Sequence, residues 1–349
     1  MADKLKISLF SDFHYRKEMY SITLDDLLTI LNRAEKENAE IILHAGDFCN
    51  DYNNSPEVIN ALLNNKTGLK VYGVYGNHEL ESFDNSMAVV TKFITNDENV
   101  VWGTKDGKIG DGSIAYYYAD VKDFRIVCTD TNYSFNTEGY WEHNRTRSFG
   151  PPDENLFGNS LGTEQLVWLE ETLIKSAKEG KKCIVISHES FSGKFRSSSP
   201  DSVFIRNLFA RVNAMKKGTV LMAINGHIHT NNACVMDNIL YLDMNTAKNT
   251  WWQGTQEEHY READTYKYTE YDENGNAVNT YDRSYTQDWM NKNTWYSADP
   301  LSAIVTVTND GEITVEGMES EYVNDILPPE NKWNDCEPRV LSGKWKLDI

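Results

Sequence analysis

Five short apolar runs, each followed closely by a side chain that can bind a metal ion or contact phosphate, constrain this chain more than any other feature. The runs and their endings are KISLF-SDFH (Asp12, His14), EIILHA-GD (Asp47), LKVYGVY-GNHE (Asn77, His78), KCIVI-SH (His188) and TVLMAIN-GHIH (His227, His229). Six of the chain's eight histidines lie in these runs and endings. Oxygen and imidazole ligands without a thiolate suit divalent Mn, Fe or Zn. The pattern therefore predicts a metal site built at the ends of buried strands.

The spacing of apolar residues predicts an α/β fold. Strand-like runs at 4–10, 40–45 and 69–75 alternate with helical segments at 23–37 and 55–65, and the first helix carries an i, i+3, i+4, i+7 leucine stripe. Such alternation indicates βαβ units with parallel strands, so that ligands gather beyond the carboxyl ends of the strands. Further expected elements are a helix at 86–95, short strands within 100–128, and helices at 163–178 and 201–216.

Three parts of the chain depart from this alternation. We expect residues 1–250 to form the catalytic core, with 132–162 as an insertion on the substrate side that carries Tyr133, Trp141 and His143. Such a long polar stretch usually has a function of its own. Residues 251–300 are rich in aromatic side chains and contain an Asn-Gly turn signal for a hairpin. Residues 301–349 are predicted to complete the same domain with a hairpin around Asn309-Asp310-Gly311 and a tail.

Composition excludes several classes of function. The formal net charge of −19 disfavours binding to a nucleic-acid backbone. No run has the roughly 18 to 20 apolar residues of a membrane span, and no signal peptide is apparent, so we expect a cytoplasmic protein. The five cysteines are odd in number and form no CxxC pair, which favours isolated thiols over a disulfide framework. The sequence does not indicate an oligomeric state.

The polar endings can be divided between two metal ions. Asp12, His14 and His229 suit one ion, while Asn77, His188 and His227 suit the other. Asp47 is then the bridging carboxylate. Two cations roughly 3.5 to 4 Å apart bind opposite oxygens of a phosphoryl group and lower the pKa of a bridging water. The resulting hydroxide is the expected nucleophile, attacking phosphorus in line, and the reaction is hydrolysis of a phosphate ester.

The ordered set of DxH, GD, GNHE, H and GHxH resembles the calcineurin-like metallophosphoesterase superfamily over roughly residues 5–245. The resemblance implies an αββα sandwich of two mixed sheets flanked by helices. It also implies a dinuclear site whose ligands are Asp12, His14, Asp47, Asn77, His188, His227 and His229. In that superfamily the position of His78 is not a ligand; it contacts the phosphoryl group or protonates the leaving oxygen. His78 and Asp47 are therefore the expected catalytic residues.

The substrate is less constrained than the reaction. Ser/Thr protein phosphatases of this superfamily carry arginines in GDxVDRG and immediately before GNHE, whereas this chain has Gly46-Asp47-Phe48-Cys49-Asn50-Asp51 and Tyr75 there. That difference favours a small-molecule phosphomonoester or phosphodiester, as in the bacterial cyclic-nucleotide phosphodiesterase branch. The candidate substrate contacts are Asn77, His78, Arg145, Arg147, Arg196, Trp251 and Trp252.

Two alternatives stay open at this stage. The chain can be a non-catalytic metal-binding scaffold with the aromatic insertion as a partner surface, or a hydrolase of lipid-linked phosphate. Each motif is also weak alone, since a GD after a strand is often only a turn. The aromatic residues of 251–296 can equally form the insertion's own core.

Overall fold

Two mixed β-sheets pack face to face and carry helices on their outer sides in a computed structural model of the chain. The structure describes residues 3–15, 22–49, 55–79, 90–135, 141–143, 160–195, 198–251, 266–271, 277–283, 294–322 and 337–349. One large apolar cluster draws on strands of both sheets and on the first two helices. A second cluster lies between the larger sheet and the last two helices. The αββα sandwich expected from the sequence is confirmed.

The elements in chain order are β1 (Lys4–Phe10), α1 (Leu24–Lys36), β2 (Ile41–His44), α2 (Pro56–Leu63), β3 (Lys70–Gly73), a 3-10 turn (Thr91–Phe93), β4 (Val101–Trp102), β5 (Tyr117–Val121), β6 (Phe124–Cys128), β7 (Tyr133–Phe135), β8 (Trp141–His143), α3 (Gly162–Glu179), β9 (Lys182–Ile186), α4 (Ser202–Met215), β10 (Val220–Asn225), β11 (Asn232–Met236), β12 (Ile239–Asp243), β13 (Asn249–Trp251), β14 (Tyr266–Tyr271), β15 (Ala277–Arg283), β16 (Thr294–Tyr296), β17 (Ala303–Thr308), β18 (Glu312–Gly317) and β19 (Gly343–Lys346).

The smaller sheet has the order β19-β18-β17-β1-β2-β3, and the larger one β11-β12-β10-β9-β6-β5-β4. Strands β1, β2 and β3 are parallel to each other, as are β6, β9, β10 and β12. In the larger sheet, antiparallel strands lie on both sides of the parallel strands. In the smaller sheet the antiparallel strands lie on one side only, and β3 is the opposite edge of the described sheet. The predicted βαβ units of β1, β2 and β3 therefore form one end of the smaller sheet.

Strand register brings the polar endings together. Phe10 pairs with His44, and His44 pairs with Gly73, so β1, β2 and β3 end level with one another. In the larger sheet Ile186 of β9 is level with Ile224 of β10. The residues that follow these strands must therefore leave both sheets at one edge of the sandwich.

Helix α1 shows how local sequence sets the outer layer. Thr23 and Asp26 form a capping box, in which the Thr23 hydroxyl accepts from the Asp26 N–H and the Asp26 carboxylate accepts from the Thr23 N–H. The helix buries Leu27, Ile30 and Leu31 against the sheet. Because Lys248 donates to Asp26 at 2.7 Å, the start of α1 is also tied to the segment that follows β12.

Several expected elements lie in the less regular parts of the chain. Of the helix predicted at 86–95, the structure describes only the 3-10 turn Thr91–Phe93 and its flanks; residues 80–89 lie outside the described residues. The Asn-Gly signal corresponds to the antiparallel pair β14 and β15, and the Asn309-Asp310-Gly311 turn joins β17 to β18. The stretch 132–162, expected to be a loop, contains the hairpin β7–β8.

Two remaining observations concern bilayer crossing and thiols. Across the described ranges, no helix combines the length and the apolar character that crossing a bilayer requires. Cys49, Cys128, Cys183 and Cys234 are free thiols, and the first three are buried. Cys336 lies outside the described residues.

The buried ring of His44 is packed by aromatic side chains. It stacks on Phe10 with a centroid separation of 5.9 Å and lies 5.5 Å from Phe48. Within the described part of the chain, neither ring nitrogen of His44 has a hydrogen-bond partner. Burial, with a smaller effect from His188, lowers the pKa of His44 to about 3. The folded protein therefore holds this ring neutral.

His44 makes folding stability depend on pH, and we predict that His44→Leu reduces this dependence. The ordinary histidine pKa of 6.5 applies in the unfolded chain. Between that value and the folded pKa the unfolded state binds the extra proton, so stability falls as the pH falls. Between pH 6 and 4, the free energy of unfolding of the wild type should fall by about 1.4 kcal/mol more per pH unit than that of the variant. Urea unfolding with chelator present measures this, and parallel slopes for the two proteins would contradict it.

Candidate metal centre

Oxygen and imidazole groups converge at the edge where β1, β2, β3, β9 and β10 end. They form three overlapping groups whose ligand atoms lie within 4.8 Å of one another. The groups are Asp12 with His14 and His229, then His14 with Asp47 and His78, then Asp47 with His188 and His227. All of the carboxylates and histidines predicted as metal ligands are included.

The first group, Asp12 with His14 and His229, joins the end of β1 to the loop after β10. The Nε2 atoms of His14 and His229 are 3.1 Å apart, and Oδ1 of Asp12 lies 3.2 Å from Nε2 of His229. All three residues are buried. Their ligand atoms converge on one another, which is the arrangement of ligands around a shared centre.

The third group, Asp47 with His188 and His227, lies around the His188 ring, with Asn77 beside it. Nε2 of His188 lies 3.1 Å from Oδ2 of Asp47 and 3.2 Å from both Nδ1 of His227 and Oδ1 of Asn77. The opposite ring nitrogen, Nδ1, lies 2.7 Å from the Ala45 carbonyl, which fixes the ring orientation. Since the carbonyl can only accept, Nδ1 donates, and Nε2 is the ring atom that faces the centre of the group.

Asp47 lies between His14 of the first group and His188 of the third. Its Oδ2 atom is 3.1 Å from Nε2 of His188 and 3.6 Å from Nε2 of His14, while Oδ1 accepts the N–H of His78 at 2.8 Å. Ligands about 2.1 Å from one ion at tetrahedral or octahedral angles are about 3.0 to 3.4 Å apart. Most of the donor spacings in both groups fall near this range, so the residues fit a pair of divalent cations that share one carboxylate.

The electrostatics of the cluster favour positive charge at its centre. Burial opposes ionisation of Asp12, but His229 and His188 outweigh it and lower the Asp12 pKa to about 2. Burial also opposes protonation of His188, yet the Asp47 carboxylate raises the His188 pKa well above its usual value. For His14, burial prevails and lowers the pKa to about 4. The carboxylates of Asp12 and Asp47 thus remain anionic and attract a cation.

The backbone around these ligands is strained. Asp12, His14, Asp47, His227 and His229 all adopt positive φ angles, between 50° and 74°. Residues other than glycine rarely adopt this backbone conformation, which costs of order 1 to 3 kcal/mol per residue. Strain concentrated at one edge requires other contacts to hold the loops in place.

Gly76 allows the loops after β2 and β3 to approach each other. A Cβ atom there would overlap the Asp47 carboxylate and lie 2.6 Å from the Asp47 backbone nitrogen. The φ angle of Gly76 is not positive. A glycine is therefore required here because the two backbones approach closely, not because the backbone is left-handed. Asn77 and His78 follow directly and are brought against Asp47.

Glu79, which sequence reasoning left without a role, fixes this approach. Its buried carboxyl accepts the N–H of Phe48 at 2.7 Å, of Asp47 at 3.0 Å and of Gly76 at 2.6 Å. Burial and the Asp47 charge raise the pKa of Glu79 to about 8. The last residue of GNHE therefore holds the two ligand-bearing loops together through their backbones.

Asp243 has a related role at the loop that carries His227 and His229. Oδ1 of Asp243 accepts from the Asn225 side-chain amide at 2.7 Å, and Oδ2 accepts from that of Asn232 at 3.0 Å. These two asparagines flank the histidine loop. Burial, with the charge of Asp12, raises the Asp243 pKa well above its usual value. Asp243 belongs to none of the sequence motifs. It ends β12 opposite Asn225, so knowledge of the sheet register would have indicated that it lies beside the histidine loop.

Most of the predicted substrate residues cannot be placed. Arg145, Arg147, Arg196 and Trp252 lie outside the described residues, and Trp251 is described only as a backbone position at the end of β13. Asn77 and His78 are partly exposed beside the buried ligands. The ring of His78 lies 4.9 Å from that of His14 in an edge-on contact.

We predict that Glu79→Met destabilises the fold by at least about 2 kcal/mol, because three buried N–H groups lose their acceptor. An apolar replacement of similar length tests the acceptor oxygens whatever the protonation state of the carboxyl. Glu98→Met, at an exposed position, is the matched control and should change stability by less than about 0.5 kcal/mol. Denaturant unfolding measures both, and equal stability of the two variants would contradict this role for Glu79.

Comparisons with known proteins bear on the fold and the family of this chain. No curated protein matches the chain. Among solved structures, a dimetal phosphatase from Danio rerio superposes with a TM-score of 0.55 at 14% identity, covering 90% of this chain and 95% of that chain. A purple acid phosphatase from yellow lupin gives a TM-score of 0.42 at 13% identity, covering 92% of this chain and 52% of that one. The family model described as calcineurin-like phosphoesterase matches residues 5–231. This chain belongs to the calcineurin-like phosphoesterase family.

Proposed function

We propose that this protein is a dinuclear metal-dependent hydrolase of a small-molecule phosphate ester, either a monoester or a diester. The observation that carries the proposal is the position of Asp47, whose single Oδ2 atom faces His14 on one side and His188 on the other. A carboxylate oxygen shared by two ligand groups is what a two-metal site requires.

The ligand roles follow from the two groups. Asp12, His14 and His229 hold one cation, Asn77, His188 and His227 hold the other, and Asp47 contributes to both. Mn, Fe and Zn each suit this donor set of carboxylate, amide and imidazole. When bound, the cations bind phosphoryl oxygens and lower the pKa of a water between them.

Two features of His78 support a role for its side chain in acting on the substrate. Its backbone N–H donates to Asp47, which fixes the loop, while its side chain remains partly exposed next to the buried His14. Asn77 and His227 are also partly exposed, whereas the other proposed ligands are buried. The substrate therefore approaches from the side of Asn77, His78 and His227. We assign His78 to phosphoryl contact or to protonation of the leaving-group oxygen.

Charge and sequence favour a small substrate. The net charge of −19 repels polyanions, and the two arginines of the protein phosphatases are missing from the corresponding motifs. Arg145, Arg147 and Arg196 are candidates to neutralise a second anionic group, with Trp251 and Trp252 as candidates for stacking. The Danio rerio protein of similar fold is a dimetal phosphatase, which is compatible with monoester hydrolysis.

The proposal predicts hydrolysis of aryl phosphate or bis-aryl phosphate by the Mn²⁺-supplemented protein and loss of this activity on chelation. Asp47→Asn and His227→Ala should each lower kcat/KM by at least about 100-fold, since disturbing groups outside the ligand shell of a metal already costs 10- to 100-fold. Release of the aryl alcohol, followed by absorbance, measures the rate.

Asp106→Asn provides a matched control. Asp106 is exposed in the turn after β4 and accepts from its own neighbours, so this variant should retain the wild-type rate. An Asp47→Asn variant with undiminished activity would refute the assignment. Two bound metals without turnover on a broad panel of phosphate esters would favour the non-catalytic scaffold instead.

A further inference from the structure

One face of the hairpin β7–β8 runs from the candidate metal centre to an exposed aromatic side chain. We propose that this face, formed by Tyr133, Phe135, Trp141 and His143, is the subsite for a flat aromatic group attached to the phosphate. The ester would then be an aryl or nucleoside ester rather than a simple alkyl phosphate. This inference rests on the proposed function of the metal centre.

The pairing of the hairpin places four rings on one face. Tyr133 lies opposite His143, and Phe135 lies opposite Trp141. Because alternate residues of a strand share a face, both pairs project from the same side of the hairpin. The rings contact each other within each pair, edge-on, with centroid separations of 4.9 Å for Tyr133 and His143 and 5.3 Å for Phe135 and Trp141.

The first of these pairs is attached to the loop that carries Asn77 and His78. Nε2 of His143 lies 2.7 Å from Oδ2 of the buried Asp130, and its ring lies 6.2 Å from that of Tyr75, which directly precedes Gly76. The Asn132 amide donates to Oδ1 of Asp130 at 2.9 Å and to the Gly76 carbonyl at 3.3 Å. The base of the hairpin is therefore fixed beside the GNHE loop.

Phe135, in the second pair, is open to solvent. It is 60% exposed, and its partner Trp141 is partly exposed. The two rows of rings are two residues apart along the strands, roughly 7 Å. A substituent that carries a ring about 7 Å or more from phosphorus, as a biphenyl or a nucleoside does, would extend past the first pair towards Phe135 and Trp141.

Exposure of Phe135 has a cost that a ligand would remove. Leaving a large apolar ring in water forfeits its burial free energy, whereas stacking with another ring is favourable. Phe204, on α4 at the outer layer of the fold, is 49% exposed and has no such connection to the metal centre. It provides a matched control for exposure and residue type.

The test uses phosphonates, whose C–P bond this class of hydrolase does not cleave, so that binding is measured whether or not the protein turns over esters. Calorimetry with the Mn²⁺-loaded protein compares biphenyl-4-ylphosphonate, whose second ring lies about 7 Å from phosphorus, with methylphosphonate. The wild type should bind the biphenyl compound about fivefold or more tightly. Phe135→Ala and Trp141→Ala should reduce that preference to about one, with methylphosphonate affinity unchanged, and Phe204→Ala should keep it.

Each outcome decides between the claims. A wild-type protein that shows no preference, or variants at Phe135 and Trp141 that keep it, would overturn the subsite even if phosphate esters are hydrolysed. A preference lost in these variants without hydrolysis of any ester would support the subsite and refute the proposed function. If neither phosphonate binds, the subsite is refuted, while the turnover of aryl phosphates decides on the proposed function. Phe135→Ala removes an exposed side chain, so failure to fold does not obscure the result.

Discussion

The carboxylate of Asp47 is the contact on which the polar edge of the sandwich depends. Oδ2 faces the imidazoles of His14 and His188, and Oδ1 accepts the N–H of His78. The Asp47 N–H, in turn, donates to Glu79. His14 follows a strand of the smaller sheet and His188 a strand of the larger one, so this one side chain links both sheets. The ligand-bearing loops are therefore positioned by each other as well as by their own strands.

Strain explains why so many polar contacts accumulate there. Five of the proposed ligands have left-handed backbone conformations, each of which costs of order 1 to 3 kcal/mol. The Glu79 and Asp243 carboxyls offset part of that cost by fixing the flanking backbone and asparagine amides. Cation binding to the folded centre would offset more of it, which couples metal occupancy to stability.

The sequence predicts the sheet-forming strands and the convergence of the ligands because both follow from local patterns. Parallel strands that end level with each other bring Asp12, Asp47 and Asn77 to one edge, whatever the details of the loops. The roles of Glu79 and Asp243 were not predicted, because they depend on contacts with residues distant in sequence, and neither residue type nor spacing reveals such contacts. His143 is a similar case: its ring contacts the buried Asp130, and the polar stretch around it gave no sign of that contact.

The central claim is that one carboxylate serves two cations. Anomalous X-ray diffraction from crystals grown with Mn²⁺ tests it most directly, since it locates the ions independently of activity. The account predicts two anomalous peaks roughly 3.5 to 4 Å apart, both within coordination distance of the Asp47 carboxylate, one beside His14 and His229 and the other beside His188 and His227. A single peak, or two peaks of which only one contacts Asp47, would contradict it.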